Sequence, residues 1–125
     1  MNPFDLIKAL MSNIPEDRWV ASVNGVRKGP VTRTSSKLKD GAIVVDFGYQ
    51  DGDKEHTLSG VIPLVSAGRQ GGDDQFTFDG QEVEHDDFLL SSRFVFPKGP
   101  ILVVEFKFAL AGESFRIRFD GRMLG

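Results

Sequence analysis

The sequence predicts a mainly β fold: an antiparallel β-sandwich or partly open barrel of about seven or eight strands, with one N-terminal α-helix packed on it. Three observations carry this. Apolar residues recur at every second position in several runs, most clearly over residues 102–110 and 115–119, the period of a half-buried strand. One Asn-Gly and four Asp-Gly pairs stand at or between such runs, and these dipeptides supply the backbone of two-residue hairpin turns. No long stretch has the 3.6-residue period that a parallel crossover helix needs. The 125 residues make a single domain on ordinary size scaling, long enough to bury a core without disulfides or a structural metal. It divides into a helix over residues 1–15 and antiparallel strands over 18–124.

The helix is read from Asn2-Pro3 and Asp5, a cap, a proline at the first helical position and an acid at the positive end of the dipole. Leu6, Ile7, Leu10, Met11 and Ile14 fall on one face before Pro15. That stripe is too short to be stable alone and is expected to cover one face of the sheet or one end of a barrel. Residues 18–23 and the run from Val26 flank Asn24-Gly25 as the strongest hairpin signal in the chain. Gly29-Pro30 interrupts the second arm, so that residues 31–34 are expected at a sheet edge or in a loop.

Asp40-Gly41 turns into a strand over residues 42–50 whose central run is apolar on both sides and is expected to be covered on both faces. Asp51-Gly52 turns back into a strand over 55–64, with His56, Leu58 and Ile62 on one face and Gly60 expected at a bulge or close approach. Residues 66–74 are Gly-rich but lack the Gly-Lys-Ser/Thr ending of a phosphate-binding loop. A short hairpin about Asp79-Gly80, a strand over 88–96 and a breaker at 97–100 lead to the last hairpin. There Leu102, Val104, Phe106, Phe108 and Leu110 answer Phe115, Ile117 and Phe119, with Ala111, Gly112 and Glu113 in the turn. Two registers keep these faces. One sets Lys107 opposite Arg118; the other sets Lys107 opposite Asp120 and Glu105 opposite Arg122.

Cysteine is absent, which excludes disulfides, thiolate nucleophiles and cysteine-containing zinc sites. Eleven Phe against one Trp and one Tyr is a core-filling aromatic content, whereas sugar- or base-stacking surfaces use Trp and Tyr more. No apolar run reaches the length of a membrane span, and the first residues lack the pattern of a secretory signal; the expected location is the cytoplasm. The net charge of −3 hides a segregation. Residues 18–40 carry six basic side chains against Asp40 alone, a local +5, and residues 46–87 carry eleven acids against Lys54 and Arg69, a local −9. Such asymmetry can fold back on itself as a charge network, pair copies of the chain, or leave a basic patch for an anionic partner.

Arg27, Lys28 and Arg33 in the early segment, and Lys107, Arg116, Arg118 and Arg122 in the last hairpin, offer forked or point-charge donors for phosphates. If the early segment lies beside the final strands, they form one cleft. The acidic overall charge suits a small phosphorylated or nucleotide-like ligand better than duplex nucleic acid. In the acidic run from Glu82 to Asp87, His85, Glu84 and Asp87, with His56 from a neighbouring strand, have donors for a divalent cation, but the spacing matches no metal motif and the run reads as an acidic turn. No nucleophile, base and orienting group stand as a set, so no enzymatic activity, cofactor or metal is expected.

Residues 94–124, from the F-x-F of Phe94 and Phe96 through Gly99 and the strand after it to a hairpin ending in Phe119-Asp120-Gly121, resemble the closing strands of galectin-type lectins. The resemblance covers about a quarter of the chain and implies a β-sandwich and carbohydrate binding. Its sugar site, a His-x-Asn-x-Arg strand with a stacking Trp, is not matched: His56 is followed by Thr57, Leu58 and Ser59, and the sole Trp is Trp19.

The expectation is therefore a non-enzymatic domain that captures a small anionic ligand, as a homo-oligomer joined through its helix or an edge strand. The alternatives are a protein-interaction or structural module, such as a virion component or an inhibitor of another protein, and a galectin-like carbohydrate-binding domain.

Overall fold

The computed structural model describes residues 14–63, 75–95 and 99–123, with backbone alone for 62–63, 75 and 84–95. The helix expected over residues 1–15 lies almost wholly outside these; the described chain enters through a 3-10 turn, Glu16–Arg18. Every later element is a strand: β1 (Trp19–Val23), β2 (Val26–Lys39), β3 (Ala42–Asp51), β4 (Lys54–Pro63), β5 (Gln75–Phe78), the two-residue β6 (Gln81–Glu82), β7 (Glu84–Val95), β8 (Gly99–Leu110) and β9 (Glu113–Arg122). They form one antiparallel sheet in the order β6-β5-β4-β3-β2-β1-β9-β8-β7. Its two edge strands, β6 and β7, are separated by the single residue Val83. A sheet whose ends are joined by one residue must curl, and this one forms a half-barrel.

The turns explain the meander. Asn24-Gly25, Asp40-Gly41, Asp79-Gly80 and Ala111-Gly112 all hold positive φ at both residues, the mark of type I′ hairpins whose twist matches the strands. Asp51 closes β3 instead of turning, and the turn is Gly52-Asp53 between the pair Asp51 and Lys54. The fourth Asp-Gly pair is no turn at all: Gly121 lies within β9, opposite Trp19.

β2 corrects the expectation of an edge. It is an interior strand that changes partners, pairing with β1 up to Pro30 and with β3 from Val31 onward, with a register shift on each side. Pro30 stands at this corner, where its missing N–H falls between two ladders. Gly29 beside it has no room for a side chain, since a Cβ there would lie 2.8 Å from the Gln50 carbonyl oxygen. Gly60 makes no bulge, because β3 and β4 pair in unbroken register from Ala42 with Pro63 to Asp51 with Lys54.

The corner folds one half of the sheet over the other. Ile43, Val45, Phe47 and Tyr49 of β3 are buried and alternate with half-buried Val44 and Asp46, so β3 has one core face and one outward face rather than two covered ones. Phe47 meets Trp19 of β1, Phe106 of β8 and Phe119 of β9 at ring separations of 5.4, 6.1 and 4.8 Å. Phe76 and Phe78 of β5 reach Phe106 and Phe108 of β8. Among the described side chains, Phe47, Phe76, Phe78, Phe106, Phe108 and Phe119 are buried in the core. Among the described residues, no helix is long and apolar enough to cross a membrane.

Candidate functional site

Ala111-Gly112 sets the register of the last hairpin. A two-residue turn makes Leu110 and Glu113 the closing pair, and it places Glu105 opposite Arg118 and Lys107 opposite Arg116. Neither expected register occurs, because Glu113 belongs to the strand and not to the turn. The like-charged pair that had to be accommodated is Lys107 with Arg116, and it falls on the outward face of the sheet.

β1 lies beside β9 on the other side, with Ser22 opposite Arg118 and Val20 opposite Asp120. Asn24 fastens the two strands by its side chain as well. Its Oδ1 accepts from the Arg116 N–H at 2.8 Å, its Nδ2 donates to the Ser114 carbonyl at 3.3 Å, and its own N–H donates to the Arg116 carbonyl at 2.9 Å. The turn residue of the first hairpin thereby fixes the backbone of the last. Ser22, Asn24, Glu105, Lys107, Ser114, Arg116, Arg118 and Asp120 line an open groove of about 870 Å³ along this face.

The charges in the groove are partly compensated. Arg118 forks onto Asp120, Nε to Oδ1 at 2.6 Å and Nη2 to Oδ2 at 3.1 Å. This hydrogen bonding holds Arg118 more firmly protonated than usual; burial opposes it, and the charges of Asp120 and Glu105 add to it. Arg116 Nε stands 3.8 Å from Glu105 Oε1. Lys107 forms no ion pair among the described side chains; the register sets it between Arg116 of β9 and Asp87 of β7. Three cations against Glu105 and Asp120 leave the groove lining at +1.

Of the seven basic residues expected to act together, the fold gathers Lys107, Arg116 and Arg118. Arg27 stands on the same cross-strand row, opposite Ser22, about two strand spacings or ~10 Å from Arg118. Arg122 shares the face but sits opposite Ile101, about 13 Å along β9 from Arg118. The other two lie elsewhere: Lys28 pairs with Asp51 at 3.4 Å and Arg33 with Asp46 at 3.3 Å. Those two pairs join the early basic segment to the acidic one, so part of the charge asymmetry is resolved inside the fold. Sequence patterning put Glu105 on this face but gave no sign that Asn24 and Ser22 belong to it, since their partners on β9 are more than ninety positions away.

His56 lies at the same end of the half-barrel as the Ala111-Gly112 turn, on the far side of Phe78, whose ring is 5.8 Å from Phe115. Its Nδ1 is 2.6 Å from Asp79 Oδ2, its ring stacks on Phe78 and lies 5.5 Å from Tyr49, and Asp79 Oδ1 accepts from the Thr57 N–H. Among the described residues no group of three His, Asp or Glu is placed to hold a metal; the Glu84–Asp87 side chains of the alternative metal reading lie outside those described. Trp19 is buried, donates its indole N–H to the Ile14 carbonyl at 3.2 Å and lies over Gly121, so it offers no face for a sugar. Comparison with protein families, curated proteins and solved structures finds no match.

Proposed function

We propose that this protein is a non-enzymatic binding domain that captures a small anionic ligand on the outward face of β1, β9 and β8. The observation that carries the reading is the direct opposition of Lys107 and Arg116 across the β8–β9 ladder, beside Arg118 and within one open groove. Like charges facing each other across strands are destabilising, and among the described side chains only the diagonal contact of Arg116 with Glu105 offsets them. A bound anion relieves the rest. Phosphate suits the pair because guanidinium forks onto two of its oxygens while an ammonium supplies a point charge.

The test is calorimetry and thermal melting with inorganic phosphate and a panel of organic anions. A ligand at about a hundredfold excess over its Kd adds about 2.7 kcal/mol to stability, a readily measured rise in Tm. Lys107→Ala and Arg116→Ala are each expected to abolish that rise while leaving the unliganded melt unchanged or slightly raised, since both side chains face outward and each substitution removes the like-charged opposition. A rise that survives both substitutions removes the groove from consideration.

A second reading, a protein-interaction or homo-oligomeric module, is favoured by β7. It is a twelve-residue edge strand whose backbone pairs with β8 alone among the described residues, and such an edge can accept a further strand. Sedimentation of the same samples tests it: self-association in the absence of any anion, with no anion raising the Tm, favours the edge over the groove.

A further inference from the structure

Resting on the anion-binding reading, we infer that the ligand is a hydroxyl-bearing compound with a single phosphate monoester, of the sugar monophosphate class, and not a nucleoside polyphosphate. The groove places its charges in two cross-strand rows. The row nearer the hairpin turns holds Arg116 and Lys107 opposite each other, and the next row holds Arg118 and Glu105, with Ser22 beyond Arg118. Asp120 comes next along the same face, two residues from Arg118, and engages that guanidinium through two hydrogen bonds. One end of the groove thus opposes two cations, and the other holds Glu105 and Asp120 against Arg118 alone, a net charge of −1, with Glu105 also reaching back to Arg116 at 3.8 Å.

A phosphate monoester carries close to two negative charges at neutral pH, which matches Lys107 and Arg116 as a pair. The rest of such a molecule would lie along the groove over Glu105 and Asp120, whose carboxylates are acceptors only. Hydroxyl groups satisfy them as donors. The second and third phosphates of a polyphosphate would be carried onto the same carboxylates and be repelled. The Arg118 guanidinium offsets this repulsion only in part, because two of its five donors are already given to Asp120.

Four probes decide this by calorimetry: inorganic phosphate, a hexose monophosphate, the unphosphorylated hexose and a nucleoside triphosphate. The hexose monophosphate is expected to bind about tenfold or more tighter than inorganic phosphate or the triphosphate, with no measurable binding of the free hexose. Glu105→Gln and Asp120→Asn, which keep shape and remove charge, are each expected to narrow that preference and to strengthen the triphosphate. If the triphosphate is the tightest ligand of the unmodified protein, or if both variants leave the ranking unchanged, the inference is overturned while anion capture stands. If none of the anions binds, both readings fall together.

Discussion

Tyr49 is the only tyrosine of the chain, and its environment makes it a reporter of folding. Burial raises its phenol well above the ordinary value, and the negative charges of Asp51 and Asp79 raise it further. The folded state therefore holds this proton more tightly than the unfolded state does. Stability contributed by the neutral phenol is complete below the ordinary tyrosine pKa of about 10 and is lost as pH climbs above it. In Tyr49→Phe that loss is absent, so the difference in denaturant midpoint between wild type and variant should move in the variant's favour between about pH 8 and pH 11. Ultraviolet titration supplies the companion observation. Tyrosinate absorbance should stay low past pH ~10 and appear together with unfolding; an ordinary step in the folded protein would contradict the burial argument.

At the scale of elements, the β1–β9 pair is the seam on which the site depends. It joins residues 19–23 to residues 117–121, and it is held from the inner side by Trp19. A Cβ on Gly121 would fall within 2.7–2.8 Å of the Trp19 ring, and that ring is pinned by the Ile14 carbonyl and by Phe47. Gly121→Ala should therefore cost about 1–3 kcal/mol, as overpacking of a filled site does. Chemical denaturation checks the value, and a smaller penalty in the Trp19→Leu background would assign it to that contact. Asp120-Gly121 reads as a turn signal from sequence because its composition is that of a turn. Its glycine answers instead to the bulk of an indole about a hundred residues earlier in the chain.

For the whole molecule, the half-barrel is held by rings that bridge the two sides of the corner in β2. Phe47 is 1% exposed and touches aromatic residues on three strands of the opposite half. Phe47→Ala is expected to lose about 3–5 kcal/mol, measured by denaturant unfolding, because the cavity opens between two layers that cannot close on it independently. A loss below ~1 kcal/mol, well under the range for a buried aromatic ring, would mean that the halves are held otherwise. Strand order also decides which charges meet. It sets β1 against β9, so that the first and last hairpins share the groove, and β2 against β3, where Lys28 and Arg33 form ion pairs. Exposed pairs of this kind contribute about 0–1 kcal/mol each, so the proposed binding face is positioned by packing and strand pairing and not by its own charges.

Strand identity, hairpin positions and the division of each strand into apolar and polar faces were legible in the sequence, because each depends on contacts between near neighbours and on the φ preferences of Gly, Asn and Asp. The polar face carrying Lys107, Arg116 and Arg118 was legible for the same reason. The register of the last hairpin was not, since Ala111 takes positive φ in a position where composition gives no cue. Nor was the interior place of β2, whose Pro30 is tolerated only because the strand changes partners there. Which basic residues gather was settled by the β8–β9 register, and the Ser22 and Asn24 that line the groove beside them by the β1–β9 pairing. That pairing joins the two ends of the described chain through backbone hydrogen bonds and a shared core, and neither leaves a periodic trace in sequence.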